Sequence, residues 1–159
     1  KERGKRLKEN LDRLNFSNKI QIIDALNISE DQKYDIIIID SPCSSIGTIR
    51  RHPEILFRSK KTNTKEYVAL QKKLLEKASR LIVKNGIIIY IVCSFAASET
   101  IIQIDDFISK NSNFSIEKFK DKSQDSKLID TNGFISILPS EHNGVLIDGF
   151  FAAKLKKND

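Results

Sequence analysis

Asp35-Ile36-Ile37-Ile38-Ile39-Asp40-Ser41-Pro42-Cys43-Ser44-Ser45-Ile46-Gly47-Thr48 is the stretch that sets the fold. Its four consecutive isoleucines carry no polar alternation, which is the pattern of a short strand buried on both faces. Pro42, the serines and Gly47 then mark a loop rather than more strand. Strands of this kind belong to parallel sheets covered by helices, and ligands bind such sheets in the crevice beyond the carboxyl ends of the strands. Asp40 and Cys43 therefore fall where chemistry is expected.

Downstream, residues 64–84 carry Tyr67, Leu70, Leu74, Ala78 and Leu81 at helical spacing, with Asn85-Gly86 as a left-handed stop. Residues 86–92 form a second β-branched run that exits at Cys93, and Ser98-Glu99 opens a helix through about Lys110 with Ile101, Ile104 and Ile108 inward. Upstream, Leu7, Leu11 and Leu14 predict an amphipathic helix ending near Asn15, and Lys19 to Ile23 a strand ending at Asp24. The last third reads as strands at 114–119, 133–138 and 149–155 without intervening helices, which predicts an antiparallel finish to the sheet. The polar stretch 112–130 has the composition of a mobile loop.

The bulk properties fit one cytosolic domain. The chain has 159 residues, 40% of them hydrophobic, and lacks both a membrane-length apolar run and a secretory signal pattern. Two cysteines make no disulfide framework, so Cys43 and Cys93 are free for chemistry. The net charge of +6 is uneven: residues 49–84 hold eleven Lys or Arg against three acids, whereas 97–142 hold eight acids against five bases. A basic surface suits a phosphate backbone, although a solvated helix face explains the same count.

Asp24, Asp40 and Cys93 each end a predicted strand and so converge on one rim. Taken singly, each has an ordinary explanation: a capping carboxylate, or a small thiol filling the core. Two cysteines at one rim are harder to dismiss. His52 and His142 do not combine with the cysteines into a zinc pattern, and no metal is expected. There is no G-x-S-x-G elbow for a serine hydrolase and no C-x-x-C for a thiol redox protein.

Three short motifs carry a resemblance. Asp40-Ser41-Pro42-Cys43-Ser44 with Gly47-Thr48 and Arg50-Arg51-His52-Pro53, Val92-Cys93-Ser94 followed by Glu99, and Asp148-Gly149-Phe150-Phe151 occur in the order and intervals of the Sun-type RNA 5-methylcytosine methyltransferases, which include the small subunit ribosomal RNA enzymes of bacteria. Ser41 stands where that family usually has alanine, and Val92 where it usually has threonine. The resemblance implies a Rossmann-like class I methyltransferase fold, mostly parallel with an antiparallel C-terminal edge. It also implies that residues 1–159 are the C-terminal portion of the catalytic domain, without its first strands and their glycine-rich cofactor loop.

The resemblance further implies S-adenosylmethionine as cofactor, RNA (ribosomal RNA) as partner and a cytoplasmic location. Cytosine C5 is a poor nucleophile until a thiolate adds to C6. The family's pattern makes Cys93 that nucleophile and gives Cys43 the release of product. Asp40 contacts the base or the cofactor's charged end, and Asp24 accepts from the adenine amino group. Arg50, Arg51 and His52 would meet RNA phosphates. The helix opening at Ser98 is one device for lowering the Cys93 thiol. The principal alternative is a non-catalytic RNA-binding remnant lacking a complete cofactor site; a class I enzyme for another substrate leaves the paired cysteines unexplained.

Overall fold

The isoleucine run forms β1 (Tyr34–Asp40), which pairs in parallel with β2 (Ile82–Val92) from Ile36 opposite Ile87 to Asp40 opposite Ile91. The two strands thus end side by side, and their exits share one rim. This computed structural model describes residues 2–57, 64–120, 128–142 and 144–158, with the His142 side chain excepted.

Between the strands runs α2 (Thr64–Leu81), and after β2 comes α3 (Ile101–Lys110). Leu75 and Ala78 of α2 and Ile104 and Phe107 of α3 pack with Ile88, Tyr90 and Val92, the last three fully enclosed. Fully burying one such side chain contributes about 1.5–3 kcal/mol, so this layer is the principal source of cohesion. α2 ends earlier than its periodicity predicts. Asn85 is left-handed, at φ 62°, but it lies inside β2, where the register jumps from Tyr34–Ile82 to Ile36–Ile87 and residues 83–86 bulge out.

The C-terminal third supplies the antiparallel part. β7 (Phe150–Lys157) lies against β2, and its far side is shared end to end by β3 (Phe114–Ile116) and β4 (Ile135–Ile137). A separate hairpin of β5 (Ser140–His142) and β6 (Val145–Ile147) turns at Gly144, φ 76°. His142 is therefore the last residue of a strand rather than part of a turn running from Ser140. Of the polar stretch 112–130, residues 121–127 lie outside the described residues, and its start is β3.

Two expectations fail for one physical reason. Lys19 to Ile23 is not a strand, and the isoleucine run is not buried on both faces: Ile22, Ile23, Ile36 and Ile38 each expose more than half their surface. β1 pairs with β2 alone among the described strands, and α2 and α3 cover a single face. Among the described residues Lys19 to Ile23 meets no neighbouring strand to pair with, and a strand needs such a partner for its backbone groups. α1 (Glu2–Arg13) forms as the leucine spacing predicts, yet buries no side chain. Among the described residues no helix is long and apolar enough to cross a membrane.

Candidate active site

Cys43, in the loop after β1, and Cys93, the residue after β2, meet with their sulfurs 3.2 Å apart. That is far beyond the ~2.05 Å of a disulfide, so both are free thiols in contact. Cys43 is buried and Cys93 half-buried, with Ser45 Oγ 3.5 Å from the Cys93 sulfur. Burial, reinforced by the Cys93 contact, pushes the Cys43 thiol up to about 11. Cys43 thus keeps its proton at neutral pH, in contact with the Cys93 sulfur.

The loop's geometry has specific causes. Ser45 is left-handed, at φ 60°, and its carbonyl accepts from the N–H and hydroxyl of Thr48, closing a 3₁₀ turn at Ile46–Thr48. Gly47 N–H donates to Cys93 O at 3.0 Å, and Gly149 N–H donates to Gly47 O at 2.7 Å. A β-carbon on Gly47 would sit 2.1 Å from Gly149 O, so only glycine permits this approach of backbone to backbone. Asp148 accepts from Arg51 at 2.5 Å, while Arg50 donates to the carbonyls of Ser140 and Ile147 at 3.2 Å each. The three motif segments are thereby locked into one rim.

Beneath the thiols lies an enclosed carboxylate. Glu99 Oε1 accepts from Ser44 N–H at 2.9 Å and from Gln71 Nε2 at 3.2 Å; Oε2 accepts from Ser44 Oγ at 2.5 Å and Ser94 Oγ at 2.6 Å. Gln71 also donates to Pro42 O at 3.0 Å, and two carbonyl-type acceptors fix its amide orientation. Tyr90, whose hydroxyl donates to Glu99 O at 2.8 Å, is raised by burial. Drawing Glu99 inward explains why no helix opens at Ser98. Residues 97–99 make a 3₁₀ turn, Thr100 is non-helical, and α3 starts at Ile101. Sequence reading passed over this hub, although Gln71, a polar residue within the apolar stripe of α2, was its visible sign. Ser41, the departure from alanine, is buried with its hydroxyl unpartnered, so alanine would fill the same space.

Asp40 ends β1 as expected, with its side chain exposed. Asp24 does not end a strand: it caps the 3₁₀ turn Ala25–Asn27, its Oδ1 accepting from Leu26 N–H at 2.9 Å. The two aspartates nevertheless line one cleft of about 380 Å³, walled by Ile28, Ile37, Ile39, Leu70 and Leu74. His52 is exposed and 3.1 Å from Glu54. The basic stretch is less free than its count suggests. Lys77 and Arg80 pair with Glu30, at 3.2 and 2.7 Å, and Lys72 pairs with Asp106 at 3.0 Å. Arg58, Lys60 and Lys61 lie outside the described residues. Among the described residues no three His, Cys, Asp or Glu side chains form a metal-binding group.

The chain matches the 16S rRNA methyltransferase RsmB/F family over residues 1–156. It belongs to that family. Within the RsmB/F family's sphere, ribosomal RNA small subunit methyltransferase B of Photorhabdus laumondii is 34% identical over 163 aligned positions, covering 98% of this chain and 34% of that protein. The solved structure of PH0851 superposes with a TM-score of 0.85 at 30% identity, over 99% of this chain and 35% of that one. NSun6 from Pyrococcus horikoshii gives 0.80 at 24% identity, over 100% and 40%, a likeness that speaks to the fold alone. The chain thus has the Rossmann-like α/β fold of class I methyltransferases, and spans about a third of the length of the Photorhabdus laumondii relative.

Proposed function

We propose that this chain is the C-terminal portion of a catalytic domain that transfers a methyl group from S-adenosylmethionine to C5 of cytosine in ribosomal RNA, in the cytoplasm, through a covalent bond from Cys93. The observation that carries the reading is the 3.2 Å contact between the Cys43 and Cys93 sulfurs at the rim where β1 and β2 end. Family membership supports methyl transfer to ribosomal RNA; the two thiols support the cysteine chemistry.

The residues lining the cleft fit the cofactor. Its apolar walls suit an adenine ring, and Asp24 and Asp40 suit an amino group and a cationic end respectively. When bound, S-adenosylmethionine supplies an electrophilic methyl group. As the thiolate, Cys93 Sγ would add to cytosine C6, which gives C5 the enamine character needed to accept a methyl group. The C5 proton would then pass to water, and its electron pair expels Cys93 from C6 as a thiolate. Cys43, whose sulfur lies 3.2 Å away, would serve the release step by giving its proton to that thiolate and regaining one from water. Asp40 orients the base or the cofactor's charged end. Arg50, Arg51 and His52 border the site and meet RNA phosphates, Arg51 keeping 68% of its side-chain surface exposed while paired to Asp148.

The test uses the full-length protein with methyl-labelled S-adenosylmethionine and ribosomal RNA, digested to nucleosides. The expected result is label in 5-methylcytidine, lost in Cys93→Ala. Label in another nucleoside, or transfer that survives Cys93→Ala, contradicts the reading. RNA binding without any transfer by the unsubstituted protein points instead to a non-catalytic RNA-binding remnant.

A further inference from the structure

Glu99 touches no atom of the reaction as written, yet it is fully enclosed and takes donors from three separate segments. Ser44 follows Cys43, and Ser94 follows Cys93. One carboxylate therefore grips the residue next to each thiol, while Gln71 carries the same grip to Pro42 O, just before Cys43. A buried carboxylate is expensive to desolvate, and small apolar groups would fill the space at lower cost. What apolar packing cannot provide is directional hold on two loops at once.

We propose that Glu99 is the positioning residue that sets the separation and aim of the two sulfurs, acting on Cys93 through Ser94 and on Cys43 through Ser44. This rests on the reading of Cys93 as nucleophile and Cys43 as the residue of the release step. The hydrogen-bond pattern predicts which substitutions matter. At Oε1 the donors are an amide N–H from each of Ser44 and Gln71, which cannot reverse. At Oε2 they are hydroxyls, 3.3 Å from each other, which can turn to accept. Glu99→Gln, with its oxygen at the first position and its NH₂ at the second, satisfies all four partners. Glu99→Ala orphans the Ser44 amide, leaves Gln71 only its bond to Pro42 O, and frees both loops.

The experiment compares Glu99→Ala, Glu99→Gln, Ser44→Ala and Ser94→Ala in the full-length protein with S-adenosylmethionine. Adduct formation is timed on RNA containing 5-fluorocytosine, where fluorine at C5 blocks elimination, and adduct decay is timed on ordinary RNA. Alkylation of Cys43 by iodoacetamide is followed without RNA.

Misplacing a reacting group by about 1 Å costs about 100-fold, so Glu99→Ala should lose about that factor in formation, and Glu99→Gln should recover at least about 10-fold of it. Ser94→Ala should slow formation about 10-fold more than decay, and Ser44→Ala decay about 10-fold more than formation. Cys43, protected in the unsubstituted protein, should be alkylated about 10-fold faster in Glu99→Ala, with a smaller rise in Ser44→Ala. If the two serine variants slow the same step equally, or if Glu99→Gln behaves like Glu99→Ala, the positioning role is wrong and Glu99 is only structural. If the unsubstituted protein forms no adduct while the alkylation pattern holds, the assigned reaction fails but the control of the thiols stands.

Discussion

The rim beyond β1 and β2 and the outer edge of β1 use similar chain to opposite effect. At the rim, Ser41, Cys43, Ser44, Ser94 and Glu99 are buried or nearly so, although most are polar. At the outer edge, Ile22, Ile23, Ile36 and Ile38 are apolar and mostly exposed. Hydrophobicity alone therefore does not say what is inside. Polar side chains are buried where every donor finds an acceptor and glycines let backbones touch. The isoleucines of β1 are sheltered only on the face that α2 covers, where Ile39 is buried and Ile37 half-buried.

That contrast can be broken at its strongest point first. Gly47→Ala drives a β-carbon into the carbonyl oxygens of Gly149 and Cys93, so a loss of about 3 kcal/mol or more is expected in urea denaturation. A loss under about 1 kcal/mol would mean the rim is not interlocked as described.

A smaller effect follows from the buried thiol. The unfolded chain gives up the Cys43 proton near 9.0, the folded chain near 11, so between those values the folded state holds more protons and stability falls as pH rises. Across that window the unsubstituted protein should lose stability relative to Cys43→Ala, which has no such group to titrate, by on the order of 1–2 kcal/mol after solvent screening. Parallel pH profiles for the two would show that Cys43 is not held as a neutral thiol.

Tyr90→Phe removes one buried hydrogen bond to the Glu99 carbonyl and should cost about 1 kcal/mol. At the other end of the comparison, Ile36→Thr changes an exposed side chain on the strand edge and should stay within about 0.5 kcal/mol of the starting stability. A loss there as large as that at Gly47 would erase the distinction between the two regions.

The same contrast explains what was legible in the sequence. Helical spacing found α1, α2 and α3, because periodicity reports a face directly. The strand exits brought Asp40, Cys43 and Cys93 to one rim, because a parallel pair must end on one side. Lys19 to Ile23 misled because β-branched residues register propensity, whereas a strand also needs a partner. Asp24 reached the cleft from a turn instead. The β5–β6 hairpin was missed because Ser140 to Ile147 lacks the alternation of a half-buried pair, and its orientation is fixed from outside by Arg50 and Arg51. Glu99 falls within a motif, but its role is not legible there, since its four partner groups come from three places in the chain and no local pattern records them.

The central claim is that Cys93 forms the covalent bond to the RNA base. The direct measurement incubates the full-length protein with S-adenosylmethionine and 5-fluorocytosine RNA, digests the denatured product with protease and nuclease, and locates the nucleotide by mass. The account predicts one modified cysteine, Cys93, and no adduct in Cys93→Ala. A nucleotide carried on Cys43, or no adduct at all from protein shown to bind both RNA and S-adenosylmethionine, would contradict it.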